Sequence, residues 1–376
     1  MQRQSSTFLA ASIVAFAVAA CSESTGKPKP DGGTGGVDIG KDGKPLAVKV
    51  PDTGQAIEDP QVFVDLATPA VVTPAGDPKA SKDWDLAFGG LNVFTNGGVS
   101  GSGLGSGFGP LSPESFLDDF APSVPFMETD ETGGAFIDWW IYDGAQHLIW
   151  SRYHVFGVKD GDRVFKVQVL GFYGEVSGAP VTAIYSLRWA QVLPSVLPTH
   201  ELYDLDGTAG GKDPPPDAAS ECIDLGEPAK RTMLTPAEAQ ASSGWHLCFR
   251  RQSISVNGGK GGPRNVGAVD LDIGETAGET VESDKAKTAA SELPKFDAVG
   301  SADLTASGLE YAGDRVITAF TEHWLAPGAA PPAPDKVAWF VVGADGTSKF
   351  LLAFEGFDGA TASSPGTVHM RVKSVE

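Results

Sequence analysis

Apolar and polar positions alternate with a period of two in several short segments of the chain. The segment Trp84-Asp85-Leu86-Ala87-Phe88 places three large side chains at every second position, and this alternation predicts a β-strand with those side chains on one face. Residues 158–170 and 340–354 each set an Asp-Gly pair between two apolar runs, which is typical of a tight antiparallel hairpin. We therefore predict an all-β fold built from antiparallel hairpins.

Further strands are predicted where β-forming residues end each half of the chain, at residues 181–189 and 367–372. A helix start is clear only at Thr235-Pro236-Ala237-Glu238, where Thr suits the cap position and Pro suits the first turn. Helices are therefore expected to contribute little to the fold.

The first motifs return in the same order in the second half of the chain. The segment Trp84-Asp85-Leu86-Ala87-Phe88 is followed 161 residues later by Trp245-His246-Leu247-Cys248-Phe249. Asn96-Gly97-Gly98 is followed at the same distance by Asn257-Gly258-Gly259. Self-similarity in a fixed order predicts an internal repeat.

Two later blocks extend this repeat at a larger offset. Residues 136–140 match residues 320–324, and the turn Asp160-Gly161 with its strands matches Asp345-Gly346, 185 residues later. The increase in offset predicts an insertion in the second copy, near residues 274–292.

Composition divides the chain into units. Glycine and proline are abundant, with 47 and 27 among 376 residues, and two polar stretches rich in them are predicted to be a flexible tether and a linker. The predicted order is a signal peptide (1–20), a tether (21–55), a first β domain (56–200), a linker (201–220) and a second, divergent β domain (221–376).

The N-terminus carries an export signal. Residues 8–20 are an apolar run of 13 residues after a basic start, too short to span a bilayer and right for a signal peptide. Ala19 and Ala20 before Cys21 resemble the lipobox of bacterial lipoproteins. The resemblance implies lipid attachment at Cys21, and Ser22 implies delivery to the outer membrane; the alternative is an ordinary secretory signal with Cys21 beyond the cleavage site.

Charge and motifs exclude several classes of function. The chain has 28 Lys and Arg against 48 Asp and Glu, a net charge of −20, which argues against binding to nucleic acid or to anionic lipid. The motifs G-x-S-x-G, H-E-x-x-H and C-x-x-C are absent from the sequence, so no enzyme is predicted. Cys222 and Cys248 remain as an even pair in an oxidising compartment, predicting either a disulfide or two buried thiols.

These blocks together resemble the HmuY-like family. The resemblance rests on the W-D-L-A-F strand at residues 84–88, the glycine-rich loop that begins at Thr95-Asn96-Gly97-Gly98, and the hairpin from Asp160 through Tyr173. It covers residues 62–189, and residues 222–372 more weakly as a second copy. It implies two tandem antiparallel β domains in an outer-membrane lipoprotein of a Gram-negative bacterium, binding heme or a related porphyrin without catalysis and delivering it to an uptake receptor.

Heme requires imidazole or thioether ligands to the iron and an apolar, aromatic slot for the macrocycle. The family resemblance implies two axial His or Met side chains but does not fix their positions. The first-copy candidates for the axial ligands are Met127, His147 and His154. The candidate pocket residues are Trp139, Trp140, Tyr142, Trp150 and Tyr153. The second-copy ligand candidates are His323, His369 and Met370, and no metal other than heme iron is predicted.

The same residues allow a second interpretation, a structural or adhesion-type surface lipoprotein with no small-molecule ligand. The aromatic residues would then be core and the histidines ordinary hydrogen-bonded side chains. The chain has only six His, and His246 replaces Asp85 in the second copy, which both favour this alternative. The two interpretations differ in whether the predicted donors approach one point.

Overall fold

A computed structural model of the chain describes residues 42–376 apart from residues 56, 58, 125, 210–214, 216, 227–229 and 322–323. The predicted signal peptide, most of the predicted tether, Cys21 and His323 lie outside the described residues. Among the described residues, no helix is long and apolar enough to cross a membrane.

The described part of the chain is mostly β, and its named strands pair antiparallel, which confirms the predicted fold class. The strands are β1 (Lys44–Lys49), β2 (Val62–Asp65), β3 (Ala70–Val72), β4 (Leu86–Gly89), β5 (Asn92–Thr95), β6 (Ser106–Leu111), β7 (Glu131–Gly133), β8 (Trp140–Asp143), β9 (Leu148–Ser151), β10 (Val155–Asp160), β11 (Arg163–Val176), β12 (Ala179–Leu193), β13 (His200–Asp206), β14 (Ser220–Ile223), β15 (Arg231–Leu234), β16 (Leu247–Arg250), β17 (Ser253–Val256), β18 (Gly267–Asp270), β19 (Arg315–Ile317), β20 (Ala338–Val342), β21 (Lys349–Asp358) and β22 (Thr367–Val375).

The helices are short. They are α1 (Pro236–Ala241), α2 (Val281–Lys285), α3 (Leu293–Ala298) and α4 (Ser301–Leu304), with 3-10 turns at Pro113–Leu117 and Ile273–Gly278. The predicted start of α1 is confirmed, because Thr235 caps it through a reciprocal pair of hydrogen bonds with Glu238. The helices α2 to α4 lie in the connection between β18 and β19, where the insertion in the second copy was predicted.

The strands form two lobes with separate cores. The outer lobe comprises residues 42–133 and 315–376, and the inserted lobe comprises residues 134–314 between them. Each lobe has a five-stranded sheet, in the order β1-β22-β21-β20-β6 in the outer lobe and β13-β12-β11-β10-β18 in the inserted lobe. Each lobe also has a four-stranded sheet, β3-β2-β4-β5 or β15-β14-β16-β17.

The buried side chains divide in the same way. One large cluster joins Phe136, Trp139 and the strands around Phe165 to Leu247 and Phe249. The other joins residues 48–93 to residues 319–372. Each core therefore combines the first half of one predicted copy with the second half of the other, an arrangement that the predicted division into domains 56–200 and 221–376 did not anticipate.

The two first halves are nonetheless built alike. Asn96 Nδ2 donates to the carbonyls of Ser81 and Trp84, at 3.0 and 2.7 Å. Asn257 Nδ2, in the second copy, donates to the carbonyls of Ser242 and Trp245, both at 2.9 Å. The two Asn residues are 161 residues apart, and so are the two Ser residues and the two Trp residues. The repeated motif therefore makes the same hydrogen bonds in both copies.

The structural counterpart of Trp324 is Trp139 rather than Trp140. Both are 1% exposed; Trp139 Nε1 donates to the Gln252 carbonyl and Trp324 Nε1 to the Leu91 carbonyl, each at 2.9 Å. The match of residues 136–140 to residues 320–324 therefore shifts by one residue within the block, because Trp139 rather than Trp140 corresponds to Trp324.

Three expectations about local structure are wrong. Trp84 does not share a face with Leu86 and Phe88, because it precedes β4 and packs in a separate small cluster with Phe63. The predicted tether 21–55 includes β1, which pairs with β22. The predicted linker 201–220 begins within β13, which pairs with β12.

Candidate functional site

Most of the aromatic residues predicted around the site lie on or next to a two-stranded hairpin of the inserted lobe. In this hairpin, β8 pairs with β9, with Ile141 opposite Trp150 and Tyr142 opposite Ile149, and all four side chains are half-buried. The Tyr173 hydroxyl accepts a hydrogen bond of 2.7 Å from the backbone N–H of Ile149. The hairpin therefore carries apolar and aromatic side chains on both faces, with Tyr142 and Ile149 on one and Ile141 and Trp150 on the other, and it is held to the end of β11.

His147 lies in the turn of this hairpin, with an exposed side chain and a φ of 56°. Its Nδ1 is 2.8 Å from the hydroxyl oxygen of Tyr142. A neutral imidazole has one N–H and one lone pair, so donation from Nδ1–H to Tyr142 leaves the lone pair on Nε2. Among the described residues, none hydrogen-bonds to Nε2.

Asp143 organises the same turn. Its Oδ1 accepts hydrogen bonds from the backbone N–H groups of Ala145 and Gln146, at 3.0 and 3.1 Å. Its Oδ2 accepts one of 2.6 Å from Lys285 Nζ on α2. The bond from Lys285, reinforced by those from the turn, holds the pKa of Asp143 below its usual value, so the carboxylate stays charged and keeps the turn in place.

His154 is engaged elsewhere. Its side chain is fully buried, with Nδ1 2.7 Å from Asp270 Oδ2 and Nε2 3.1 Å from Glu279 Oε2. Both ring nitrogens are therefore occupied by carboxylates, and neither is free to bind iron.

Met127 lies in the other lobe. It packs in a small cluster of the outer lobe around Phe116 and Phe340, whereas His147 and His154 belong to the inserted lobe. The structure does not place the three predicted donors in one cluster.

The five predicted pocket residues separate into core and surface. Trp139 is 1% exposed and lies in the core of the inserted lobe, with its ring centroid 5.8 Å from that of Phe172 and 5.4 Å from that of Tyr185. Tyr153 is also buried, at 9% exposure. The half-buried members are Trp140, Tyr142 and Trp150.

The second-copy candidates do not converge either. His369 Nε2 is 2.6 Å from Asp358 Oδ2, so this ring nitrogen already contacts a carboxylate. Met370 follows it on β22 and is fully buried in the core of the outer lobe. The third candidate, His323, lies outside the described residues.

Cys222 and Cys248 are joined by a disulfide. They lie directly opposite each other on β14 and β16. In the outer lobe the same places on β2 and β4 are held by Phe63 and Ala87, which also lie opposite each other. The disulfide therefore occupies the position of a packed cross-strand pair.

Two cavities in the described residues, of about 260 and 360 Å³, lie away from these residues. The first is bordered by Leu91, Phe94 and Arg315, among others, and the second by Lys159 and Tyr311. Neither is lined by a predicted donor or pocket residue. Within the described ranges, no group of three or more His, Cys, Asp or Glu side chains is arranged to hold a metal ion.

The family model of the HmuY protein matches residues 58–185, about a third of the chain. Residues 58–185 are an HmuY family domain. This HmuY domain runs from β2 to β12, so its first part lies in the outer lobe and its second part in the inserted lobe. This match does not show a second HmuY copy at residues 221–376, which stays a prediction. None of the curated proteins compared with the chain matches the chain.

The residues near the hairpin fit a heme bound through one imidazole better than a heme bound through two side chains. His147 has a ring nitrogen without a partner among the described residues, and half-buried aromatic residues lie beside it. In contrast, His154 and His369 contact carboxylates, and Met127 and Met370 pack in the outer lobe. Tyr173 and Lys285, which hold the hairpin, were not identified from the sequence. No local pattern could have revealed them, because Tyr173 is 24 residues from its partner Ile149 and Lys285 is 142 residues from Asp143.

Proposed function

We propose that the protein binds heme or a related porphyrin without catalysis, at the β8–β9 hairpin of the inserted lobe, with His147 as the axial ligand. The observation that carries this proposal is the state of the His147 ring: Nδ1 contacts the Tyr142 hydroxyl at 2.8 Å, and Nε2 has no partner among the described residues. An iron-binding histidine usually donates its other ring N–H to an oxygen acceptor, which fixes the tautomer and the ring orientation. The membership of residues 58–185 in the HmuY family supports heme as the ligand.

The hairpin offers the apolar surface that a macrocycle needs. Tyr142, which contacts His147, shares its face of the hairpin with Trp140 and with Ile149 opposite it. These side chains are half-buried, so they have apolar surface that a planar ligand can cover. Burial of such surface contributes about 25 cal/mol per Å². When bound, heme would supply the iron that His147 ligates, while these side chains hold the ring.

We further propose that Cys21 carries the lipid anchor and that the protein acts at the outer membrane, delivering its ligand to an uptake receptor. This part of the proposal rests on the lipobox-like residues before Cys21 and on the family. Incorporation of a clickable fatty acid should label the full-length protein in cells and should be lost in Cys21→Ser. Equal labelling of both proteins would exclude the anchor without bearing on the heme site.

Hemin titration of the protein lacking residues 1–21 tests the binding site. We expect a red-shifted Soret band that saturates at one equivalent, and its loss or at least a tenfold weaker affinity in His147→Ala. The matched control is His369→Ala, which removes another exposed histidine with a single side-chain partner and should leave the titration unchanged. No Soret shift in the parent protein, or an unchanged titration in His147→Ala, would contradict the proposal.

The second candidate is a structural or adhesion-type lipoprotein with no small-molecule ligand. It is favoured by the contacts of the other predicted donors, since His154 is held by two carboxylates and Met127 is packed against apolar side chains. The same titration separates the two, because this candidate predicts no saturable Soret change.

A further inference from the structure

A cluster of charged side chains fastens the connection between β18 and β19 to the inserted lobe. At its centre the buried imidazole of His154, just before β10, lies between Asp270 at the end of β18 and Glu279 before α2, at 2.7 and 3.1 Å. A neutral imidazole can donate only one hydrogen bond. Both contacts are hydrogen bonds only when both ring nitrogens are protonated, so the geometry calls for an imidazolium.

The surroundings favour that charge. Burial alone would lower the pKa of His154, but the hydrogen bond and charge of Asp270, followed by the charges of Glu279 and Asp272, together hold this pKa above its usual value. Glu279 in turn has its pKa lowered to about 2: burial opposes this shift, and the hydrogen bonds from Lys287 and Arg152 and the charge of His154 outweigh it. The raised pKa of His154 and the lowered pKa of Glu279 both favour an ion pair between the two groups.

The other charged groups facing this pair come from every element around it. Lys287 Nζ lies 2.6 Å from Glu279 and 2.7 Å from Asp284, and Lys295 Nζ lies 3.0 Å from Asp272. The charged groups around the pair include Arg152 just after β9, Asp270 at the end of β18, Asp272 just after it, and Glu275, Glu279, Asp284, Lys287 and Lys295 from the connection. Of His154 and these surrounding groups, only His154 has an ordinary pKa near neutrality.

The segment held by this cluster, residues 271–304, covers the outer face of the five-stranded sheet of the inserted lobe. Phe296 on α3 packs with Val155 and Ala190, and Lys166 Nζ donates to the carbonyls of Phe296 and Val299 at 2.8 and 3.0 Å. These contacts lie at the α3 end of the segment. The α2 end is held differently.

At the α2 end the contacts are mainly ionic. Lys285 donates to Asp143 at 2.6 Å and lies 5.6 Å from the centre of the Trp150 ring. The ion pairs of Glu279 with Arg152 and His154 lie beside it. The α2 end is therefore the part of the segment whose attachment depends most on charge.

We propose that His154 is a pH-dependent latch: as an imidazolium it fastens the α2 end of residues 271–304 to β9 and β10, and loss of its proton releases that end from the β8–β9 hairpin. After deprotonation one ring nitrogen carries a lone pair facing a carboxylate, which is a repulsive contact. A histidine whose folded pKa is raised stabilises the fold fully below its unfolded value of about 6.5, and this stabilisation is lost as the pH rises through the folded pKa. The released state is therefore the alkaline one.

Hydrogen exchange of the protein lacking residues 1–21, without heme, tests the latch. After correction for intrinsic exchange, we expect protection of residues 279–287 to fall between pH 6 and pH 9 by about tenfold for each unit by which the His154 pKa exceeds 6.5. Protection of β21 in the outer lobe should follow the titration of Asp130 instead, so His154→Gln should leave its pH dependence unchanged. Protection of residues 279–287 that does not depend on pH would overturn the latch, and because heme is absent this outcome leaves the heme proposal untouched.

Two variants separate His154 from other groups that titrate in this range. His154→Gln should remove the pH dependence at residues 279–287, whereas His369→Gln, at the exposed pair with Asp358, should preserve it. If His154→Gln does not fold, NMR titration of the histidine side chains in the parent protein replaces it. A pKa for His154 at or below 6.5 would then overturn the latch.

Discussion

The outer and inserted lobes share a strand order but differ in the segments that join their strands. After Trp139 the inserted lobe forms the aromatic β8–β9 hairpin, whereas after its counterpart Trp324 the outer lobe has residues 325–337, with Pro331, Pro332 and Pro334 and a single β-bridge. Between β18 and β19 the inserted lobe has three helices, whereas between β6 and β7 the outer lobe has one 3-10 turn. The common strands thus form a scaffold, and the features proposed for function lie in the segments that differ.

The lobes are also joined by an exchange of halves. Each predicted copy supplies its first half to one lobe and its second half to the other, and β7 and β19, the strands that lead into and out of the inserted lobe, pair with each other. The inserted lobe is nevertheless continuous in sequence, from residue 134 to residue 314. Because of this continuity, a fragment cut at the bounds of the inserted lobe and one cut at the bounds of a predicted copy should differ in whether they fold.

The largest expected effect is on folding of fragments. Residues 134–314 contain the whole core of the inserted lobe, so this fragment should unfold cooperatively and show dispersed NMR signals. Residues 42–200, which cover the first predicted copy, contain half of each core and should not fold on their own. The result that would refute the lobe assignment is a folded 42–200 fragment beside an unfolded 134–314 fragment.

The next effect is on the pH dependence of stability. Burial raises the pKa of Asp130 to about 7 and that of Asp314 to about 8, so the folded protein keeps protons that unfolded aspartates release near pH 4. Stability should therefore fall as the pH rises from about 5 to 8, by about 1.4 kcal/mol per unit of pKa difference at most. Urea unfolding from pH 5 to 8 should show a smaller decline in Asp314→Asn than in Asp130→Asn, and equal declines would show that the two sites are equivalent.

The smallest expected effect on stability comes from one hydroxyl group that lies beside Asp130 and has no counterpart beside Asp314. Thr95 donates to Asp130 from both its backbone N–H, at 3.0 Å, and its hydroxyl, at 2.7 Å. Val256 holds the corresponding position beside Asp314 and can donate only its backbone N–H, to Oδ2 at 2.9 Å. Among the described residues, Asp314 Oδ1 has no hydrogen bond of normal geometry.

Exchanging these residues should therefore change the free energy of unfolding in opposite directions in the two lobes. Val256→Thr should raise the free energy of unfolding at pH 8 by about 1 kcal/mol, and Thr95→Val should lower it by about 1–3 kcal/mol. Denaturant titrations of both variants measure this, and the same sign of change in both would show that the hydroxyl does not explain the difference.

Local features of the fold could be predicted from the sequence, and long-range pairing could not. The Asp160-Gly161 and Asp345-Gly346 hairpins and the helix capped by Thr235 depend on neighbouring residues, so their patterns are legible in the chain. Which copy a strand pairs with depends on contacts between residues far apart in sequence. Because the two copies share their motifs, the local sequence fits pairing within a copy and pairing with the other copy equally well. The exchange of halves was therefore invisible to motif matching.

The candidate site was predictable only in part, for the same reason. The aromatic residues near His147 are close in sequence and were identified together. His154 has the same residue type and a similar neighbourhood, but its carboxylate partners Asp270 and Glu279 lie 116 and 125 residues away. Burial and pairing, rather than residue type, separate the two histidines.

The exchange of halves is tested most directly by cutting the folded protein between the two predicted copies. A specific protease site replacing residues 210–216 allows cleavage under native conditions, and the single disulfide in the described residues lies wholly on one side of the cut. Size-exclusion chromatography of the cleaved protein should give one peak at the position of the intact protein, because each core needs both pieces. Two separate peaks, each a folded fragment, would contradict the account.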